Sequence, residues 1–156
     1  MLIVPPIEEP SGLNDVPVLY WNHVGLEMNR LTHSLGGPQG GPTMSSRALG
    51  LLHLAMHDAF FGALGNTATS TPPTYLPDAS RPTVPTGLAA DLATANLALC
   101  GAAVTVLDAL YATGGSGLSI ATRTEMTDAL AAMVRGYPTH LDTLSPAYRY
   151  GRMWRG

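Results

Sequence analysis

Two histidines at the spacing of one helix face, followed directly by an aspartate, are the residues most suited to chemistry in this sequence. His53 and His57 are four residues apart, and Asp58 follows directly. Two imidazoles at this spacing lie on one side of a helix and can bind the same metal ion. His23 and Glu27 have the same spacing in an earlier segment. Two helices could therefore build a metal site in the core of a bundle.

A structural interpretation of the same residues competes with the metal hypothesis. Zinc proteases have a glutamate directly after the first histidine, where this sequence has Leu54, and the Glu-x-x-His pairs of di-metal bundles do not occur. Buried polar groups nearly always find hydrogen-bond partners. We therefore interpret His53, His57 and Asp58 as buried polar side chains that are satisfied within the fold, and we expect no metal ligand among them.

Arg47 belongs to the same group of candidate buried polar residues. It precedes Asp58 by eleven residues, which is about 16 Å along a helix axis, so the two side chains cannot pair. A buried guanidinium without a carboxylate partner is costly. Each of the two is expected to need a partner from another helix, or from a part of the protein outside this sequence.

Composition and charge exclude several classes of function. The chain has 156 residues, 12% of them charged, and a net charge of -3, which argues against a nucleic-acid-binding surface. All eight basic residues are arginine, so a lysine nucleophile or a P-loop is excluded. The single cysteine, Cys100, excludes an intrachain disulfide and a multi-thiolate metal site.

Neither a signal peptide nor a membrane span is predicted. The N-terminal stretch MLIVPPIEEPSG lacks a basic region, and prolines interrupt its apolar residues. The lack of a predicted signal peptide favours a cytoplasmic location, but the sequence does not establish the compartment. The longest apolar run, 97–107, has 11 residues and is too short to cross a bilayer.

Apolar periodicity and Gly/Pro-rich loops predict an all-α bundle of four to five helices. Residues 1–15 are proline-rich and acidic and are interpreted as an extended arm, whereas 16–156 form a single helical domain. The predicted helices are 16–35, 45–64, 88–112, 119–135 and a short helix that begins at Pro146. Thr43 or Ser45 is expected to cap the second helix after the GGPQGGP loop.

The segment 19–61, LYWNHVGLEMNRLTHSLGGPQGGPTMSSRALGLLHLAMHDAFF, resembles the N-terminal helical region of vanadium-dependent haloperoxidases, most closely the fungal-type chloroperoxidases. The words WNHVGLE, NRLTH, RALGLLHLA and HDA carry the resemblance, which continues more loosely through TYLP at 74–77 to about Gly151. That family is all-α, consists of two helical bundles, and is similar in its active-site architecture to a class of acid phosphatases.

The resemblance implies a complete enzyme that binds vanadate and uses hydrogen peroxide to oxidise halide. The family's vanadate motifs, however, cannot be placed in this sequence. There is no lysine to precede Arg81-Pro82, and Pro10-Ser11-Gly12 is followed by Leu13 rather than histidine. No catalytic residue is carried over, no cofactor is expected for this chain alone, and the implied partner is a missing C-terminal catalytic half, in the same or a second chain.

Two further functions remain open from the sequence. One is a stand-alone bundle that binds a partner or a metal through the polar residues of the first two helices, namely His23, Glu27, His53, His57 and Asp58. The other is a complete protein with phosphatase-like or terpene-cyclising activity on the same fold. The sequence does not separate these activities, because the resemblance places the reacting groups of all of them downstream.

Overall fold

A computed structural model of the chain describes residues 16–65, 74–113, 118–139 and 141–154. These residues form five α-helices, α1 (Pro17–Leu35), α2 (Pro42–Leu64), α3 (Leu92–Leu107), α4 (Ile120–Arg135) and α5 (Pro146–Gly151). α3 continues into a π-helical turn, Asp108–Ala112, and a 3-10 turn covers Asp78–Ser80. No strand occurs in these ranges. The predicted all-α fold of four to five helices is confirmed, whereas the predicted arm at 1–15 lies outside the described residues.

The starts of two helices differ from the prediction. α2 begins at Pro42, so Thr43 and Ser45 lie inside its first turn and do not cap it. The fixed φ of proline suits the first position of a helix. α3 begins at Leu92 rather than at residue 88, because Asp91 caps it and accepts a hydrogen bond from the backbone N–H of Thr94 at 2.8 Å.

The chain divides into two compact units. The first unit contains Met1–Gly50 and Leu107–Thr139, and the second contains Leu51–Val106 and His140–Gly156. α2 and α3 each contribute residues to both units. The single domain that the sequence suggested for 16–156 stays a prediction.

Aromatic side chains hold α1 and α4 together in the first unit. The Tyr20 hydroxyl donates a hydrogen bond to the backbone carbonyl of Met133 at 2.6 Å. The ring of Tyr137 stacks on Trp21 with their centroids 5.7 Å apart and meets Tyr20 edge-on at 5.0 Å. Trp21 is completely buried, so this cluster forms the centre of the first unit's core.

The π-helical turn brings polar groups of the first unit against α1. Asn29 Nδ2 donates to the Tyr111 hydroxyl at 3.4 Å, and Gln39 Nε2 donates to the backbone carbonyl of Leu110 at 3.5 Å. Gln39 has a positive φ of 65°, in the loop that follows the left-handed cap at Gly36. The GGPQGGP loop therefore ends α1 as predicted and also contacts the turn.

α3 and α5 approach one another backbone to backbone in the second unit. A Cβ atom on Gly151 would overlap the backbone carbonyl of Ala98, and one on Gly101 would overlap the carbonyl of Tyr148. Ala98 and Cys100 are buried in the same stretch of α3. The small residues of α3 are therefore what allows α5 to pack this closely.

The helical stretch Leu92–Ala112 is long and apolar enough to cross a membrane by length and composition alone. It has 21 residues and a mean hydropathy of 1.6 in its most apolar window, of which 50% is buried inside the fold. The buried core helix of a protein without any membrane contact meets the same criterion. The predicted lack of a membrane span therefore stays a prediction.

Gly151→Ala is expected to lower the free energy of unfolding by at least about 2 kcal/mol, because the new methyl group meets backbone that cannot move aside. Urea unfolding followed by circular dichroism measures this change. Gly50→Ala is the matched control, since a Cβ there meets nothing within 4 Å. It should stabilise the chain by about 0.5–1 kcal/mol through helix propensity. Equal effects of the two substitutions would contradict the backbone contact.

Alkaline pH is expected to destabilise the fold, because burial raises the pKa of Tyr111, Tyr148 and Tyr150 above the ordinary value of 10.0. Below pH 10 these phenols are neutral in both states, and their contribution to stability is fully present. Above about pH 10 the unfolded phenols ionise first, so the free energy of unfolding should fall progressively between about pH 10 and about pH 11. Urea unfolding across this range checks the loss, and Tyr111→Phe should make it smaller. A flat profile would contradict it.

Candidate functional site

Asp58 is the buried carboxylate at the centre of the candidate site, which lies in the second unit. The residue is only 2% exposed. One oxygen, Oδ1, accepts the backbone N–H of Tyr75, and the other, Oδ2, accepts that of Leu76, both at 2.8 Å. His57 Nδ1 lies 3.1 Å from Oδ1. Asp58 does need a partner, but the prediction that this partner comes from another helix or from outside this sequence is wrong, because the non-helical segment 74–77 of the same chain provides it.

The segment 74–77 is fixed on α2 by side chains rather than by its own backbone. Its two central N–H groups are bonded to Asp58, and the Leu76 carbonyl accepts a hydrogen bond from Arg81 Nε at 3.0 Å. Backbone groups outside helices and sheets need such partners when they are removed from water. Asp58 and Arg81 therefore determine where this segment lies.

The ring of His57 packs between two aromatic rings of the second unit. Its centroid lies 4.7 Å from that of Phe61, one helical turn further along α2, and 4.9 Å from that of Tyr75. With its Nδ1 directed at Asp58, His57 supports the contact between α2 and the segment 74–77. Tyr75 as a whole residue is 68% exposed.

An apolar cavity of about 230 Å³ opens beside Asp58. We call it the α2 groove, and its lining residues are Leu51, Leu54, Ala55, Asp58, Tyr75, Leu76 and Trp154. Trp154 is buried, whereas Leu54 is 39% exposed. Gly62 makes room for the indole, because a Cβ there would lie 2.7 Å from the Trp154 ring.

Two of the predicted buried polar residues, Arg47 and His53, are exposed. The prediction of their burial is wrong, because successive helical residues are rotated by about 100° and both positions lie away from the side of α2 that carries the buried Leu52 and Ala55. His53 and His57 therefore differ in environment, although they are four residues apart. Arg47 does not need the buried carboxylate partner that its predicted burial required.

Glu27, one of the candidate polar residues of α1, is paired with Arg30 in the first unit. Glu27 is 6% exposed, and its two carboxylate oxygens accept hydrogen bonds from Arg30 at 2.8–3.2 Å. His23 is half-buried on the same helix. Glu27 is thus the buried partner of an arginine.

The described residues contain no group of three or more His, Cys, Asp or Glu side chains that could hold a metal ion. The polar centre that they do contain is a carboxylate surrounded by N–H donors from its own chain. A carboxylate repels an anion such as an oxyanion, and its hydrogen bonds are already occupied by Tyr75 and Leu76. The chemistry that this arrangement supports is structural, because it attaches a loop to a helix.

Sequence reasoning did not identify the three residues that complete the site, namely Tyr75, Leu76 and Trp154. The TYLP word at 74–77 was visible in the sequence, but only as part of a resemblance. The backbone N–H groups that bind Asp58 occur in almost every residue and carry no signature. Trp154 is an aromatic residue near the C-terminus, and the sequence does not show what it contacts.

Comparison with known proteins points to one family. The sequence profile described as the vanadium chloroperoxidase N-terminal domain matches residues 4–154. The chain is also 47% identical, over 110 residues, to a vanadium chloroperoxidase from Curvularia inaequalis. The aligned stretch is 69% of this chain but only 17% of that relative, so the chain spans a small fraction of the relative's length.

Asp58→Asn is expected to lower the free energy of unfolding by about 2–3 kcal/mol, because the amide nitrogen would face a backbone N–H that then loses its acceptor. Hydrogen exchange at the amides of Tyr75 and Leu76 should become faster, and urea unfolding gives the energy. Asp91→Asn is the matched control, since an exposed asparagine caps a helix as well as aspartate does, and it should leave the urea midpoint unchanged. Unchanged exchange at residues 75 and 76 would refute the role of Asp58.

Proposed function

The chain belongs to the family of vanadium chloroperoxidase N-terminal domains, and we propose that it is the structural helical part of an enzyme that uses peroxide to oxidise halide. The observation that carries the proposal is the profile match over 4–154, combined with an alignment that covers only 17% of the relative. Under this proposal the groups that react with peroxide and halide lie in a separate catalytic part, encoded in the same chain or a second one.

The described residues do not fit vanadate. When bound, this group would act as a Lewis acid that polarises peroxide, and its negative oxygens need several converging cationic and N–H donors. The chain has no lysine, and the buried charge in the second unit is the carboxylate of Asp58. In the first unit, Arg30 is paired with Glu27. We therefore assign no residue of this chain to halide oxidation.

The role that these residues support is the positioning of helices. In the first unit the Tyr20 hydroxyl and the Trp21 ring connect α1 to α4 and its end. In the second unit Asp58 attaches the segment 74–77 to α2. Rigid elements of this kind hold the reacting groups of an enzyme in place, even when they contain none of them.

Vanadate is expected to leave the 156-residue chain unchanged. A ligand present at a hundred times its dissociation constant stabilises a protein by about 2.7 kcal/mol, so a shift in the urea midpoint with millimolar vanadate would reveal binding. We expect no shift and no vanadate-dependent oxidation of bromide. A shift in the urea midpoint, or vanadate-dependent oxidation of bromide by this chain, would refute the proposal that it contains no vanadate site.

The reading frame beyond codon 156 provides the complementary test. If it continues, the longer protein is expected to oxidise bromide with peroxide and vanadate, and omission of vanadate serves as the control. A stop codon at this point, with no neighbouring gene for a second part, would contradict the proposal. An inactive longer protein that binds vanadate would instead indicate another activity on the same fold.

A further inference from the structure

The α2 groove lies where the described chain ends. Trp154, the last residue that the structure describes, forms one wall of the groove. Only two residues follow it in the sequence, and an extended chain covers at most about 3.5 Å per residue. Any polypeptide that continues beyond Gly156 would therefore begin within about 10 Å of Trp154.

The groove suits an apolar occupant. Its walls are mainly leucine, alanine and aromatic side chains, and its one carboxylate, Asp58, already accepts two backbone N–H groups. A cavity of roughly 150 Å³ with apolar walls holds a benzene molecule, so a groove of about 230 Å³ accommodates an aromatic or branched aliphatic side chain. Leu54 and Tyr75 are partly exposed at this groove, and covering them would remove apolar surface from water.

We propose that the α2 groove receives an apolar side chain from the polypeptide that follows Gly156 in the full-length protein. This proposal depends on the proposed function, which places a catalytic part beyond this chain. Two observations favour this occupant over an unrelated partner. The last described residue lines the groove, and most of the relative's length lies outside the aligned stretch. Contacts close in sequence also cost little loop entropy to form.

Cysteine labelling tests whether the groove is covered in the longer protein. Leu54→Cys is introduced into a Cys100→Ala background, so that the protein has one thiol, and its reaction with a maleimide is timed in the 156-residue chain and in the full-length protein. We expect labelling to be at least tenfold slower in the full-length protein. Leu92→Cys is the matched control in the same unit, because Leu92 is 66% exposed and does not line the groove. Its rate should agree within twofold between the two proteins.

Three outcomes would overturn the proposal. Equal rates at position 54 in both proteins would show an open groove. Slow labelling at position 54 in the 156-residue chain itself would show that another part of this chain covers it. Equal protection at positions 54 and 92 would show general shielding rather than docking in the groove.

A substitution in the full-length protein separates this proposal from the proposed function. Leu54→Asp places a charge at the docking surface and should reduce vanadate-dependent bromide oxidation at least tenfold, whereas Leu92→Asp, at an exposed position outside the groove, should retain it. If the unsubstituted full-length protein is inactive, the proposed function fails, and the labelling rates still answer the question of the groove. If that protein is active and position 54 is unprotected, only the inference about the groove fails.

Discussion

The second unit depends on the hydrogen bonds between the Asp58 carboxylate and the backbone of Tyr75 and Leu76. A carboxylate that is 2% exposed would be costly to bury without partners. The backbone N–H groups of a non-helical segment are equally costly to remove from water unpaired. The hydrogen bonds between them, with N···O distances of 2.8 Å to both carboxylate oxygens, therefore offset the cost of burying the carboxylate and the cost of burying the N–H groups. The α2 groove is a consequence, because its walls come from the helix and segment that these bonds hold together.

Small residues provide the second constraint on the groove. α5 contacts the backbone of α3 at Gly151 and Gly101, and Gly62 of α2 leaves the space that the Trp154 indole occupies. A side chain at any of these positions would displace α5 or the tryptophan that follows it. The wall formed by Trp154 is thus fixed by residues that carry no functional group. At such positions close packing requires glycine, and the residue type alone does not reveal that the position is important.

The sequence predicts most of the helices, but it does not predict which loops they contact. Apolar periodicity and the GGPQGGP loop were enough for α1, because its stripe and its left-handed cap agree. The start of α3 was missed, since Asp91 lies next to an apolar periodic stretch and only its bond to Thr94 shows that it caps the helix. The π-helical turn has no distinct pattern in the sequence by which it could be predicted. For Asp58 the need for a partner could be predicted, but its identity could not, because any loop offers backbone N–H groups.

The geometry also explains why the family resemblance and the side chains lead to different roles. The resemblance points to an oxyanion enzyme, but among the described residues the buried charges of both units, Asp58 and Glu27, are carboxylates. Both are satisfied within the chain, by N–H groups in one case and by Arg30 in the other. Buried carboxylates with saturated hydrogen bonds stabilise a fold and repel an anion. A chain built around them is suited to support a vanadate site located elsewhere, and under the proposed function this is the division of labour between the two parts of the enzyme.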